Sequence, residues 1–153
     1  MTDNTSNTAA DWLAKEARRR GLIAEARPVN KQTLFDALAA AGLTYVTVSF
    51  DGSCDSGQIE SIDARAGAEP VDLPPGKIEL ARPDEKGGDL QRTTHTVQDA
   101  IETLAYDLLE EEHDGWEIND GAFGEFTFDV QERSITLGYN ERFSDSTYYE
   151  YVF

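Results

Sequence analysis

The sequence has few of the side chains that build covalent, metal or nucleophilic sites: one cysteine (Cys54) and two histidines (His95 and His113) in 153 residues. A single cysteine excludes an internal disulfide and favours a reducing compartment. The histidines flank a long helical pattern, about 27 Å apart if that pattern is a helix, so they do not predict a shared site. No Ser-His-Asp pattern, zinc spacing or phosphate-binding loop is present, and we expect no cofactor.

Long apolar runs are also missing. No segment approaches the ~18 consecutive apolar residues of a membrane helix. The first ten residues are polar and do not have the basic and apolar regions of a secretory signal. These absences predict a cytoplasmic location and no membrane association.

Basic residues are scarce in the second half of the chain. Residues 97–153 carry fifteen Asp and Glu but only Arg133 and Arg142, whereas residues 1–96 carry fifteen acids and eleven bases. The formal net charge is −17 and the pI is near 4.3. Because nucleic acid and anionic lipid are polyanions, this charge disfavours direct contact with either and favours a basic protein surface as partner.

What is present indicates one folded domain. The aromatic content of 10% is high for a disordered acidic chain. We predict a flexible segment at 1–8 and a single domain at 9–153 with a long loop at 65–92. Runs of adjacent strands favour an α+β fold: an antiparallel sheet of about five strands packed against helices, in the order α-α-β-β-loop-α-β-β-β.

Local patterns place the elements. Gly21 is predicted to end a first helix, and Asn30 to cap a second that ends at Gly42. Thr96 and Asp99 are predicted to open the strongest helix. Strands are expected at 45–50, 58–64, 126–130, 135–139 and 149–153, with a short one allowed at 77–80. Spacing on these elements predicts a core of Leu34, Leu38, Val46, Val48, Phe50, Ile101, Leu104, Leu108, Phe126, Phe128, Ile135 and Leu137.

The only basic segment runs from Lys15 to Lys31. One interpretation is that its arginines are solvated and complement a helix dipole. The other is that the segment docks on the acidic half of the chain itself. At the end of the strongest helix, Glu110, Glu111 and Glu112 occupy a last turn where the dipole disfavours anions, so they are candidates for a functional role.

Two Asp-Gly segments are candidate loop sites: Asp51, Asp55 and Ser56 in the first, Asn119 and Asp120 in the second. Asp51, Ser53 and Asp55 have the alternate spacing of a calcium loop, but Ser56 and Ile62 stand where an EF-hand needs Gly and Glu. Turn formation alone accounts for these residue types. We expect the two loops to lie at the same end of one sheet, where Asp55 and Asp120 would form a carboxylate pair.

The residue pattern of these loops resembles that of a family of small acidic bacterial proteins of unknown function, often found on plasmids and other mobile elements. The resemblance covers roughly residues 43–64 and 97–153, and Cys54 stands where a glycine is expected. It implies a small α+β domain and no established activity. The residues that carry it are Asp51, Gly52, Asp55, Ser56, Gly57, Gln58, Trp116, Asn119, Asp120, Gly121 and Gly124.

Two functions are left open. The first is a non-enzymatic interaction protein whose acidic surface binds a basic partner. The most specific version of this hypothesis is a nucleic-acid mimic of the anti-restriction or anti-CRISPR type. The second is a small enzyme or divalent-cation-binding domain that uses the two loops. Acidity that serves solubility alone is the alternative to the first. The candidate partner-binding residues are Glu110, Glu111, Glu112, Asp114 and Glu117.

Overall fold

A computed structural model of the chain describes residues 4–53, 56–84, 89–112, 121–141 and 149–151. Two helices and seven strands lie within these ranges. They are α1 (Asn4–Ala40), β1 (Tyr45–Ser53), β2 (Ser56–Ala66), β3 (Glu69–Val71), β4 (Lys77–Pro83), β5 (Leu90–Thr96), α2 (Val97–Glu112), β6 (Ala122–Asp129) and β7 (Ser134–Glu141).

The strands form two antiparallel sheets. The larger one has five strands in the order β3-β2-β1-β6-β7, and the smaller pairs β4 with β5. Alternation along β1 and β6 sends Val46, Val48, Phe126 and Phe128 into a core shared with both helices. The predicted α+β class with an antiparallel sheet is therefore confirmed.

The predicted core is largely the observed one. Nine of its twelve residues are buried, and Leu108, Ile135 and Leu137 are partly buried against them. Phe35 is one of the three fully buried phenylalanines among the described residues, and its ring centroid lies 6.0 Å from that of Phe128. This contact packs α1 directly onto the sheet.

Helix α1 corrects the prediction of two helices. It is continuous through Gly21 and Pro28, although proline removes one helical hydrogen bond. Around the proline, Ile23, Ala26 and Asn30 are buried against other elements. Tertiary burial therefore outweighs the local signals that favour an interruption.

Asn30 is not a helix cap. Its side chain donates to the carbonyl oxygen of Ala81 at 2.9 Å and accepts from the amide of Ala81 at 2.7 Å. Both backbone groups belong to β4, so one buried amide fastens α1 to an edge of the small sheet. This contact gives a reason for the burial of a polar residue in the middle of a helix.

We expect Asn30→Ala to lower the free energy of unfolding by about 2 kcal/mol. The substitution leaves the backbone amide and carbonyl of Ala81 without their side-chain partner. The higher helix propensity of alanine offsets about a few tenths of a kcal/mol of the lost stability. Urea unfolding measures the change. Gln32→Ala, at an exposed position two residues along α1, is the control and is expected to stay within about 0.5 kcal/mol of the wild type. Equal effects of the two substitutions would contradict this role for Asn30.

Residues 65–92, expected as a long loop, carry the end of β2, all of β3 and β4, and the start of β5. The prolines in this segment lie in an edge strand (Pro70), between strands (Pro74 and Pro75) and at the last position of β4 (Pro83), where a missing amide is tolerated. The proline content therefore marks the ends and edges of short strands.

The expected terminal strand is not observed at Tyr149–Tyr151, which lie outside any strand. The two exposed rings stack on each other with centroids 6.4 Å apart. The five strands of the large sheet thus include β3 in place of the predicted C-terminal strand.

Helix α2 begins as predicted. The amide of Asp99 donates to Thr96 Oγ1 at 3.1 Å, which is the contact expected of a threonine N-cap. Farther along, the hydroxyl of Tyr106 accepts from the amide of Ile59 at 2.8 Å. That amide lies where the β1–β2 register shifts between Ser49 and Phe50, so α2 satisfies a backbone group at a bulge.

Although α1 has 37 residues, no helix in the described part of the chain is long and apolar enough to cross a membrane.

Candidate functional site

The C-terminal end of α2 contacts the basic segment of α1. The Arg27 guanidinium forms an ion pair with Glu111. Arg82 of β4 forms an ion pair with Asp107, and its Nη2 lies 3.3 Å from Asp107 Oδ1. Asp107 is 9% exposed. The proposed docking of the basic segment on the acidic half of the chain is therefore confirmed for Arg27 and Glu111.

Beside this contact, a partly open cavity of about 290 Å³ lies between the two helices. Arg19 and Arg20 line it from α1, and Glu110 and Glu111 line it from α2. Of the predicted partner-binding residues, Glu110, Glu111 and Glu112 are exposed, and Asp114 and Glu117 lie outside the described residues. Part of the charge at this end of α2 thus serves the fold.

The two neighbouring glutamates should respond differently to charge reversal. Glu111→Lys is expected to lower the free energy of unfolding by about 1 kcal/mol, because it removes the ion pair and places a cation beside Arg27. Glu112→Lys, for which the described residues contain no ion-pair partner, is expected to be neutral or slightly stabilising, because a cation complements the helix C-terminus. Thermal unfolding at low salt compares the two. Stabilisation by Glu111→Lys would contradict this assignment.

The described parts of the two Asp-Gly segments lie at the same end of the large sheet. Gly52 is paired with Ala122 across β1 and β6, so the end of β1 and the start of β6 are adjacent. Ser53 pairs with Ser56, so the described residues of the first segment belong to β1 and β2. Asp51 lies within β1, whereas Asp55, Asn119 and Asp120 lie outside the described residues. Within the described ranges, no group of three or more His, Cys, Asp or Glu side chains is placed to hold a metal ion.

A hydrogen-bonded chain joins β5 to α2. His95 Nδ1 lies 2.7 Å from Asp99 Oδ2, and its Nε2 lies 2.5 Å from Thr93 Oγ1. The Thr93 hydroxyl is also 3.5 Å from the carbonyl oxygen of Leu80 in β4. The order of Thr93, His95 and Asp99 is that of a hydroxyl nucleophile, a base and an orienting carboxylate. Its contacts link the β4–β5 hairpin to the first turn of α2, and we assign it a structural role.

A second group of carboxylates surrounds an open groove of about 540 Å³ near the N-terminal end of α2, away from its acidic C-terminal end. We call it the acidic groove and define it by Glu60 of β2, Asp72 after β3 and Glu102 of α2. Its apolar wall includes Ile62 and Leu73. Within the described residues, none of the three carboxylates forms an ion pair.

Sequence reasoning missed this groove because its acids come from three separate elements. Glu60 lies at the β1–β2 bulge, so simple alternation misassigns the face on which it lies. One usable signal was available: Gln98 and Glu102 are four residues apart, and therefore lie on one face of the predicted helix. Both line the groove.

Charge is separated between the elements. The large sheet and α2 carry thirteen Asp and Glu with a single base, Arg65. Helix α1 and the small sheet carry nine Lys and Arg with five acids. The acidic groove therefore belongs to a region of nearly uniform negative charge. The ion pair between Arg27 of α1 and Glu111 lies at the far end of α2 from the groove.

These features define a small α+β domain with an acidic, partly apolar groove. The chain belongs to a family of unknown function, DUF6878, whose model matches residues 26–153. No curated protein and no solved structure matches the chain. The resemblance to a family of unknown function is thereby confirmed, while the bacterial origin and the association with mobile elements stay predictions.

Proposed function

We propose that this protein is a non-enzymatic, cytoplasmic interaction protein that holds a basic segment of a partner protein in the acidic groove. The observation that carries the proposal is the set of three carboxylates, Glu60, Asp72 and Glu102, without ion-pair partners in the described residues. Elsewhere, α2 places Asp107 and Glu111 against arginines of the same chain. The groove acids have no such internal use.

The lining of the groove fits an arginine or lysine side chain of a partner. Such a side chain has an apolar stem and a cationic head. The stem would lie along Ile62, Val71 and Leu73, and the head would reach the surrounding carboxylates. A need for solubility alone does not require acids to converge around an apolar wall.

Binding of an arginine-rich peptide tests the proposal. The groove variant combines Glu60→Gln, Asp72→Asn and Glu102→Gln, and the control combines Glu25→Gln, Glu132→Gln and Glu150→Gln. Both remove three negative charges. We expect calorimetry at about 50 mM salt to show at least a tenfold loss of affinity for the groove variant and less than about threefold for the control.

Salt provides the second measurement. Affinity of the wild type should fall as salt rises from about 50 to 300 mM, because exposed charge pairs are screened. The groove variant should show a smaller dependence on salt. Equal losses for the groove variant and the control would mean that overall charge, and not the groove, attracts the peptide, and would overturn the proposal.

A more specific form of this proposal is that the partner is a nucleic-acid-binding protein. The groove carboxylates would then contact the partner where the phosphates of a nucleic acid otherwise do. The assay adds the protein to restriction endonucleases and CRISPR effector nucleases with their DNA substrates. Inhibition by the wild type and the control variant, but not by the groove variant, supports mimicry. Absence of inhibition, or equal inhibition by all three, contradicts it.

A second candidate function is divalent-cation binding, either structural or in a small enzyme, by the two Asp-Gly segments. The observation that favours it is the pairing of Gly52 with Ala122, which brings the segments to one end of the sheet. Calcium or magnesium at millimolar concentration should then raise the melting temperature of the wild type. The variant that combines Asp55→Asn with Asp120→Asn should lose that shift. A wild-type melting temperature that neither ion changes would contradict cation binding.

A further inference from the structure

The two edges of the large sheet differ in their protection against pairing. Strand β3 and the part of β2 beyond it form one edge; β3 contains Pro70, and β2 carries Glu60, Asp63 and the bulge. Within the described residues, strand β7 forms the other edge; it has eight residues, no proline, and a single charged residue, Glu141, at its end. Short length, proline, bulges and charge are the usual means of preventing edge-to-edge association. Only the first edge has such features along its length.

The helix-facing side of β7 is only partly covered. Ile135, Leu137 and Tyr139 are partly buried, and with Leu108 and Phe126 they line a groove of about 360 Å³ beside α2. The opposite side of the strand carries small and polar residues. An additional strand at this edge would extend the apolar layer that the groove leaves half-exposed.

The sequence of β7 is complementary to itself in one antiparallel register. With Leu137 opposite Leu137 of a second copy, every symmetric pair is chemically matched, and both members lie on the same face of the sheet. The pairs within the strand are Ile135 with Tyr139, Thr136 with Gly138, and Ser134 with Asn140.

Other registers are worse. With Gly138 opposite itself, the apolar Ile135 would face the charged Glu141. With Thr136 opposite itself, only residues 134–138 would be paired, and Tyr139 and Glu141 would extend past the partner strand. Apolar matching and the length of the paired segment together therefore select the register centred on Leu137.

We propose that β7 pairs antiparallel with β7 of a second copy of this chain, about a two-fold axis at Leu137. The product is a dimer with one continuous sheet built from two five-stranded halves. The acidic groove is lined by β2 and α2. It lies near the β2–β3 edge of the sheet, opposite the β7 edge, and so remains accessible in each copy.

Salt should strengthen this dimer. Each copy carries a formal charge of −17, so long-range repulsion opposes association until it is screened. In sedimentation equilibrium, we expect the dimer dissociation constant to fall about tenfold between 50 and 500 mM salt. This dependence is opposite in sign to that of peptide binding in the acidic groove, so the two proposals fail independently. A wild type that stays monomeric at about 500 µM protein and 500 mM salt would overturn the dimer.

Cysteine cross-linking tests the register in a Cys54→Ser background. Opposed residues in an antiparallel pair have Cα atoms about 4.5–5.5 Å apart, which suits a disulfide. Leu137→Cys should therefore form a disulfide-linked dimer under mild oxidation. Ser134→Cys is the control on the same strand: its two copies would lie about 20 Å apart and should not cross-link. Equal rates for the two variants would overturn the register.

Discussion

Gly124→Ala is expected to lower the free energy of unfolding by at least about 3 kcal/mol. Gly124 lies in β6 opposite Tyr139, and a Cβ atom there would overlap the carbonyl oxygen of Gly138 in β7. It would also lie 3.1 Å from Cζ of the buried Phe50 ring. Because the first of these neighbours is backbone, rotation of a side chain cannot relieve the overlap, and β7 has to move.

Gly138→Ala is the matched control. Its added Cβ would lie 3.7 Å from the nearest atom, the carbonyl oxygen of Glu125, which is an ordinary contact. We expect a change within about 1 kcal/mol, since alanine also restricts the unfolded chain. Urea unfolding at low protein concentration measures both variants. Similar losses at the two glycines would show that the β6–β7 separation does not depend on Gly124.

Leu104→Ala is expected to lower the free energy of unfolding by about 2–5 kcal/mol. Leu104 is 3% exposed in the middle of α2 and belongs to the core that joins the helices to the sheet. The loss combines the transfer of the removed methyl groups with the cavity that the surrounding side chains leave. The same measurement in urea applies.

Leu13→Ala provides the comparison for an identical change on a helix. Leu13 is 61% exposed in α1, so removal of its side chain should alter stability by less than about 0.5 kcal/mol. A loss below about 1 kcal/mol for Leu104→Ala would mean that α2 does not depend on this side chain for packing.

The sequence predicted the elements whose signals are local. Alternation along β1, the apolar face of α2 with its Thr96 cap, and the β6–β7 hairpin are all observed. Their residues satisfy spacing rules that act over one or two turns or across a tight connection. No long-range information is needed for these elements.

Helix α1 failed as a prediction because its local signals oppose its tertiary contacts. Gly21, Pro28 and Asn30 all favour an interruption when each is considered alone. The partner that gives Asn30 its role, Ala81, lies 51 residues away, and nothing near Asn30 in the sequence indicates it. The same limit concealed β3 and β5 inside a proline-rich segment, whereas β4 was allowed as a short strand at 77–80.

The sequence predicted that the candidate site is negatively charged, but not which residues form it. The acidity of α2 indicated a basic partner, yet one of its glutamates, Glu111, meets Arg27 of the same chain across 84 residues. The acids of the groove are separated along the chain and converge only when β2, the segment after β3 and α2 are assembled. The bulge at Glu60 and the packing of α2 beside β2 determine that convergence, and residue spacing alone predicts neither.

Helix α1 also has a gradient of local stability along its axis. At 1.5 Å per residue its 37 residues extend about 55 Å, yet from Ala10 to Leu22 no side chain is buried. Amide hydrogens before Ile23 therefore exchange by opening of the first turns alone, whereas those beside Leu34 and Phe35 exchange only when the domain unfolds. The family match begins at residue 26, close to where burial begins, so the matched part of the helix is the part whose opening requires the whole fold to open.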